Sequence, residues 1–309
     1  MKKIINKIIN RKIFLKKPIV LIHIGSDGSN FSTWKKIAGN SILISVDPSI
    51  NKEKNKIFLK VNYVQKIIDG KNGVKTFHIT KDSHCSSLLE PKKTEYRWWY
   101  GAHRFKVVKK EEHKVSSLNP ILKNLNISYV DWLVIDAQGV DLEIFKNLKK
   151  TIQSKISILD LEPGFFEFYK KADNISDVFD YTKNNFEFEN MTFGYNYKVN
   201  SKNLTKLDKK ILYRFNEPSK IYSNITFVNK SNSDERIRLL KIIYLISNKK
   251  FFEAKNILLP YKNISFYREL IKIINSRIFL YKIMYFFFMP IYLFKKILNR
   301  LLVNKGIRI

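Results

Sequence analysis

Hydrophobic residues alternate between strand-like and helix-like spacing through the first two thirds of the chain. A buried strand is predicted at 18–24, a helix at 31–38 and a second strand at 41–46. Four further strand patterns occur, most of them followed by a helical segment: 57–61, 74–79, 129–135 and 156–161. This β-α-β order predicts an α/β protein with a mainly parallel sheet and helices on both faces.

Two later apolar segments, 186–193 and 222–228, are predicted as strands that close the sheet as an antiparallel pair. The segment 91–114 lacks regular spacing and is predicted as an irregular loop over the sheet, where it can act as a lid or a substrate wall. Its aromatic cluster consists of Tyr96, Trp98, Trp99 and Tyr100. The cluster either stacks a sugar or base or packs the loop onto the core, and we favour the second interpretation.

The two ends of the chain differ from its middle. We expect a basic amphipathic segment at 1–17, a catalytic domain at 18–230 and a helical basic region at 231–309. The first segment has no uninterrupted apolar core and is not a secretory signal. It places four isoleucines on one helical face: Ile4, Ile5, Ile8 and Ile9.

An uncharged, aromatic-rich stretch lies near the other end, at 283–294, and Pro290 interrupts it. It is too short for a bilayer span, which needs about 20 residues. Lys282 and Lys295 border it. Basic borders around an aromatic patch fit a helix lying in a membrane interface; the alternative is a helix packed on the protein's own core.

Composition narrows the class of protein. With 309 residues, of which 45% are hydrophobic, the chain is predicted to be globular rather than disordered. Cys85 is the single cysteine, which excludes an intramolecular disulfide and a cysteine-rich zinc site and fits the cytoplasm. The net charge is +30, with +7 on residues 1–18 and +14 on residues 236–309. Such ends attract anionic lipids, lipid-linked glycans or nucleic acid.

Two short motifs fit a nucleoside cofactor. The turn Gly25-Ser26-Asp27-Gly28-Ser29 follows the first predicted strand, where glycine lets a ligand approach the backbone. Asp47 ends the second strand about twenty residues later, where its two carboxylate oxygens can accept both ribose hydroxyls. The alternative is a turn glycine followed by an ordinary Asp-Pro loop.

The stretch 130–145 carries the clearest chemical signal. Its apolar run ends abruptly in Asp136, Gln138 and Gly139, and a helix is predicted from about Val140. A carboxylate after a buried strand lies at the edge where open α/β sheets bind ligands. The alternative is that Asp136 only caps the following helix.

The chain resembles the FkbM-type S-adenosylmethionine-dependent methyltransferases over roughly residues 18–230. The similar blocks, in order, are 22–31, 44–48, 84–91, 130–145 and, more weakly, 158–169. The resemblance implies a class I methyltransferase fold, which is Rossmann-like. It also implies that S-adenosyl-L-methionine binds at the first two blocks and that a hydroxyl oxygen, often of a sugar or polyketide, is methylated.

The resemblance also implies roles for individual residues. The turn from Gly25 to Ser29 would face the methionine part of the cofactor, and Asp47 would hold its ribose. The full cofactor-binding set is Gly25, Ser26, Asp27, Gly28, Ser29, Asp47, Ser86 and Ser87. Neither serine of the 84–91 block has a nearby base, so we interpret both as hydrogen-bonding loop residues rather than nucleophiles.

Asp136 with Gln138 would border the methyl-transfer site. Asp136 is the first candidate to remove the hydroxyl proton, directly or through a divalent metal, with His78 and Glu162 behind it. A position inside a strand pattern favours a structural role for His78.

The leading hypothesis is a cytoplasmic O-methyltransferase acting on a saccharide or glycan precursor, held near the inner membrane surface by its basic ends. Two alternatives remain. The charge favours an RNA ribose methyltransferase, although nucleic acid is the less favoured partner. The absence of base-methylation motifs from the sequence argues against a base-methylating enzyme. Three departures from the family pattern, His23, Ser29 and Asn119, favour an inactive membrane-associated binding module.

Overall fold

The computed structural model describes residues 1–26, 31–50, 57–96, 99–199 and 204–304. The chain divides into two compact units. One unit contains Ile9–Lys241, and the other contains Met1–Ile8 together with Ile242–Ile309. The domain boundaries expected at residues 17 and 230 stay predictions.

The described residues form ten strands. They are β1 Ile19–Ile24, β2 Ser41–Val46, β3 Lys60–Val64, β4 Ile67–Ile68, β5 Gly73–Thr80, β6 Val107–Ser116, β7 Trp132–Ile135, β8 Ile158–Leu161, β9 Phe186–Asn196 and β10 Ser219–Asn229. Seven of them form one sheet in the order β3-β2-β1-β7-β8-β10-β9. The first five strands of that order are parallel to one another. Strand β10 runs antiparallel to both of its neighbours, β8 and β9. The predicted mainly parallel sheet and its closing antiparallel pair are therefore confirmed.

Buried aliphatic residues explain the centre of this sheet. Ile22 of β1 pairs with Ile44 of β2 on one side and with Leu133 of β7 on the other, and all three are buried. Strands buried on both faces need continuous apolar runs, which is the pattern these segments have. Because β1, β2, β7 and β8 run in one direction, their carboxyl ends meet at one edge of the sheet.

A second, three-stranded sheet has the order β4-β6-β5. It contains the strand predicted at 74–79, which pairs antiparallel with β6 instead of joining the main sheet. The prediction of an irregular loop over 91–114 was wrong from Val107 onward, where β6 begins. The segment Val107–Ser116 reads V-V-K-K-E-E-H-K-V-S, so its strand has charged residues on the solvated side and no apolar alternation to detect.

Eleven helices occupy the described residues. They are α1 Lys2–Ile9, α2 Lys12–Lys16, α3 Lys93–Tyr96, α4 Leu118–Asn124, α5 Asp141–Lys146, α6 Lys150–Gln153, α7 Ile175–Thr182, α8 Lys206–Phe215, α9 Glu235–Ser247, α10 Phe251–Leu258 and α11 Ser265–Asn304. The helix predicted at 31–38 was wrong. Two 3-10 turns, Ser32–Trp34 and Ala38–Asn40, replace it. The first turn has no side-chain cap at Phe31, and stacking of Phe31 on Trp34 at 6.1 Å fixes the short turn instead.

A buried ion pair ties β1 and β7 to the start of α9. Asp131 accepts hydrogen bonds from Nε and Nη2 of Arg236, both 2.6 Å long, and from the Val20 amide at 2.8 Å. Arg236 also donates to the backbone carbonyl oxygens of Ile13, Lys17 and Pro18. A bidentate guanidinium with this many acceptors keeps a buried carboxylate satisfied.

The smaller unit is helical. Within it, Ile4, Ile5 and Ile8 of α1 are buried, as are α11 residues Tyr267, Leu270, Ile274 and Ile278. The expectation that Pro290 interrupts the apolar stretch was wrong, because α11 continues through it to Asn304. In the part of the chain that the structure describes, no helix has the length and hydrophobicity to cross a membrane.

Candidate active site

A cavity of about 550 Å³ opens at the carboxyl ends of β1, β2 and β7. It falls within the usual size of small-molecule sites, about 300–1,000 Å³. The described residues that line it include seven members of the predicted site: Gly25, Ser26, Asp47, Ser86, Ser87, Asp136 and Gln138. The remaining predicted turn residues, Asp27, Gly28 and Ser29, lie outside the described residues.

Gly25 sits where the backbones of three strands converge. Its φ of +81° lies in the region that favours glycine, and its amide donates to the Val46 carbonyl at 2.9 Å. A Cβ atom at this position would lie 1.9 Å from the carbonyl oxygen of Asp136. The turn after β1 can therefore reach this position next to β7 only with glycine.

Asp47 follows β2 on the opposite side of the same cavity. Its Oδ1 accepts hydrogen bonds from the amide and hydroxyl of Ser49, each 2.7 Å long. These bonds fix the carboxylate at the cavity wall, and the side chain is half-buried there. The Asp-Pro loop that we considered as an alternative thus also orients an acidic group toward the cavity.

The two serines of the 84–91 block make hydrogen bonds in the cavity wall. Ser87 donates to the Gln138 carbonyl at 2.8 Å and accepts from the Leu89 amide at 3.0 Å. Ser86 accepts from the Thr80 amide at 3.1 Å. Ser86 thus makes a local hydrogen bond, whereas Ser87 connects this block to the turn after β7.

The turn after β7 has an unusual backbone. Gln138 has a φ of +54° and Gly139 a φ of +101°. Non-glycine residues with positive φ are uncommon and strained. Nε2 of Gln138 donates to Oδ1 of Asp136 at 2.7 Å, and the Tyr169 hydroxyl lies 3.1 Å from Oε1 of Gln138. Together with the Ser87 bond, these contacts hold the Gln138 side chain and carbonyl in place.

The buried carboxyl group of Asp141 binds the backbone of the same turn. Oδ1 of Asp141 accepts from the Ala137 amide at 2.6 Å. Burial raises the pKa of Asp141 well above its usual range, and the nearby charge of Asp136 raises it further. Asp141 therefore positions the backbone between Asp136 and the start of α5.

A second cavity, of about 240 Å³, lies beyond Asp136. Glu162, which follows β8, lines it, as do Arg104, Asn196 and Tyr222. Its aromatic wall contains Phe105, Phe166, Phe168 and Tyr169. Asp136, Gln138 and His84 line both cavities, so they form the wall between them.

Glu162 forms a carboxyl pair with Asp136. The pKa of Glu162 is raised to about 10, first by burial and then by the charge of Asp136 and the hydrogen bond between the two carboxyl groups. Nδ2 of Asn224 donates to Oε1 of Glu162 at 3.3 Å, which opposes the shift. Glu162 is therefore protonated at neutral pH and serves as the donor of the pair.

His78 does not line the candidate active site, although it neighbours Ser87. His78 is buried in β5, its backbone pairs with Ser87, and it is not among the described residues that line either cavity. His84, which we did not predict, is at the wall between the cavities. Its place in the 84–91 block was the available signal. Trp99 is buried against Phe168 and Tyr169, in line with the packing interpretation of the aromatic cluster.

No group of three or more His, Cys, Asp or Glu side chains in the described ranges is arranged to hold a metal ion. The divalent metal stays an untested part of the sequence-based prediction.

The sheet topology and the cavity at its carboxyl edge define a Rossmann-like methyltransferase fold. A protein-family model described as the methyltransferase FkbM domain matches residues 23–193. Since this match covers more than half of the chain, the protein belongs to the FkbM methyltransferase family, and the resemblance noted in the sequence is confirmed. Comparisons with curated proteins and with solved structures found no match.

Proposed function

We propose that this methyltransferase uses S-adenosyl-L-methionine to methylate a hydroxyl oxygen of a saccharide or glycan precursor. One observation carries the proposal: Asp136 and Gln138 line both the larger and the smaller cavity. A donor in one cavity and an acceptor in the other would meet at this wall. Group transfer requires that kind of shared boundary, because the reacting atoms must be aligned and in contact.

The larger cavity suits the cofactor. Because Gly25 has no Cβ, its backbone can lie next to that of Asp136 at the cavity wall. Asp47 places a carboxylate at the end of the neighbouring strand. These residues would hold the methionine part and the ribose, respectively. S-adenosyl-L-methionine supplies a methyl group that is already activated by its sulfonium. The enzyme must then orient the acceptor and accept the proton that its hydroxyl loses.

The carboxyl pair suits the second task. Because Glu162 keeps its proton, Asp136 is the member of the pair that accepts a proton from the acceptor hydroxyl. Gln138 donates to Oδ1 of Asp136 at 2.7 Å and so fixes the orientation of the carboxylate. Glu162 supports Asp136 by a hydrogen bond, and its own carboxyl faces the smaller cavity.

The smaller cavity suits a sugar. Phe105 and Phe168 stack with centroids 5.3 Å apart in its aromatic wall, and aromatic faces pack well on the apolar face of a pyranose ring. Arg104, Asn196 and Glu162 add polar groups that can bind ring hydroxyls. This mixture supports a saccharide acceptor over a purely apolar one. We place the reaction in the cytoplasm, where the buried thiol of Cys85 stays reduced.

Two measurements test the proposal. Isothermal titration calorimetry of the folded protein with S-adenosyl-L-methionine should show binding; no binding at millimolar cofactor would leave an inactive binding module. Mass spectrometry of surface glycans from the host, with and without the gene, should show loss of methyl groups when the gene is deleted. Unchanged glycans, together with loss of ribose methylation in RNA, would replace the saccharide with RNA as the acceptor.

A further inference from the structure

The long helix α11 changes character along its length. Its buried residues Tyr267, Leu270, Ile274 and Ile278 follow the spacing of three and four that places side chains on one face. This first part is an ordinary amphipathic helix packed within its own unit. The pattern stops after Ile278.

Residues 279–289 of α11 form a segment that we name the apolar collar. All of its side chains are exposed except that of Ile283, which is half-buried. Nine of these eleven residues are large hydrophobic side chains that are at least 38% exposed. Six are aromatic: Phe279, Tyr281, Tyr285, Phe286, Phe287 and Phe288. The exposed residues 284–289 are consecutive and so cover more than one full turn. Soluble proteins rarely expose a contiguous apolar surface of this kind.

The charges around the collar have one sign. Residues 270–309 contain eight Lys and Arg residues and no Asp or Glu. Lys282, the one charged residue of the collar, can extend its amino group away from the aromatic rings while its alkyl stem stays among them. A surface that is both apolar and uniformly basic matches an anionic lipid surface.

The distribution of apolar residues argues against a protein partner. A partner helix would need an apolar stripe with a polar opposite face, as in coiled coils. The collar instead has apolar side chains on every face, which favours a surrounding medium over a single contact. Its eleven residues are about half of the roughly 20 that a bilayer span requires. Aromatic residues are also enriched where proteins meet the bilayer interface.

We propose that the apolar collar inserts into the interfacial region of an anionic membrane and attaches the protein to it. The aromatic side chains enter the boundary between headgroups and acyl chains, and the flanking basic residues bind the lipid phosphates. Attachment through the isoleucines of α1 is not part of this proposal, because their side chains are buried. The proposal concerns α11 alone and does not depend on the methyl-transfer chemistry.

Vesicle co-sedimentation tests the collar directly. The 309-residue chain should sediment with vesicles of mixed phosphatidylglycerol and phosphatidylcholine, and less with phosphatidylcholine alone. The double variant Phe286→Asp/Phe287→Asp should bind the anionic vesicles at least about tenfold more weakly, since two charges replace two inserted rings. Phe252→Asp is the matched control, because Phe252 is 60% exposed in the same unit but outside the collar. Circular dichroism should show equal helix content in all three proteins.

A fluorescent label gives an independent measurement. Burial raises the pKa of the native Cys85 thiol to about 11, so a thiol reagent will react with an introduced surface cysteine instead. An environment-sensitive label on Phe287→Cys should shift to the blue on addition of anionic vesicles, whereas the same label on Phe252→Cys should not.

Three results would overturn the proposal. They are no vesicle binding by the folded protein, equal vesicle binding by the Phe286→Asp/Phe287→Asp variant, and binding to RNA in place of vesicles. A wild-type dimer that the double variant converts to a monomer, without a change in vesicle binding, would assign the collar to a second copy of the chain instead.

Discussion

Asp136 and Glu162 lie side by side because each directly follows a residue of one register pair, Ile135 and Leu161, on adjacent parallel strands. Their carboxyl groups share a hydrogen bond, and Glu162 holds the proton. Two acidic residues that are 26 residues apart in the sequence thus form an interacting pair at the sheet edge. Because Glu162 is neutral, the pair avoids two adjacent negative charges at this half-buried edge of the sheet.

Replacing Asp136 by Asn should reduce turnover far more than cofactor affinity. The amide keeps the shape of the side chain but cannot take a proton, so kcat should fall about 10²- to 10⁴-fold. Calorimetry should give nearly the same dissociation constant for S-adenosyl-L-methionine as the wild type. A variant that retains wild-type kcat would remove Asp136 from the role of base.

Replacing Asp47 by Ala should have the opposite effect. If Asp47 holds the ribose as proposed, loss of its carboxylate should weaken binding of S-adenosyl-L-methionine roughly tenfold to hundredfold, as measured by calorimetry. Turnover at saturating cofactor should change little. Asp180→Ala is the control, because that side chain is 73% exposed on α7 and away from both cavities. Equal effects of the two substitutions would contradict the role given to Asp47.

Replacing Gly25 by Ala should destabilise the protein and abolish cofactor binding. The added Cβ would lie 1.9 Å from the Asp136 carbonyl oxygen, at a φ of +81°. We expect a loss of about 2 kcal/mol or more in the free energy of unfolding, measured by urea denaturation. Gly39→Ala is a matched control, because nothing lies within 4 Å of the Cβ it would gain. If both variants unfold at the same urea concentration, the close approach of β1 and β7 does not constrain residue 25.

Glu162 should make stability depend on pH. Its pKa rises from the ordinary 4.5 to about 10 in the folded protein, so the folded state binds the extra proton between these values. Its contribution to stability is therefore complete below about pH 4.5 and is lost as the pH rises toward about 10. Glu162→Gln removes this titration, so its melting temperature should fall less than that of the wild type over the same range. Parallel melting curves of the two proteins would show that Glu162 is not buried as a neutral acid.

Replacing Arg236 should lower the free energy of unfolding, because it leaves the buried Asp131 without its ion-pair partner. Arg236→Met leaves the Asp131 carboxylate without its bidentate partner and should cost about 3–5 kcal/mol in unfolding free energy. Burial raises the pKa of Asp131, and Arg236 opposes that shift, so the variant should take up a proton at higher pH. Adding Asp131→Asn should restore part of the stability, because a neutral amide needs no counter-charge. Additive losses in the double variant would show that the two side chains are not coupled.

The hydrophobic pattern alone predicts the strands that position the site. The apolar segments that form β1, β2, β7 and β8 can be recognised in the sequence, because a strand covered on both faces must be apolar throughout. Gly25 and Asp136 stand out because each interrupts or ends such a run. These are local properties, and they also identified the family.

Other features depended on residues that are distant along the chain. Strand β6 carries too many charges to be distinguished from a loop, and only its pairing with β5 makes it a strand. His84 belongs to the 84–91 block, but the sequence does not show that this residue lies between two cavities, nor that His78 lines neither of them. The smaller cavity forms from loops and strands that the sequence separates widely.

The carboxyl pair shows the same division most clearly. The sequence placed Asp136 and Glu162 each at the end of a strand, which follows from hydrophobic pattern alone. That β7 and β8 are neighbours, in a register that brings the two acids together, is visible only in the folded chain. Strand order and register arise from packing of the whole sheet, and the pKa of Glu162 depends on the burial and the neighbouring charge that this packing creates.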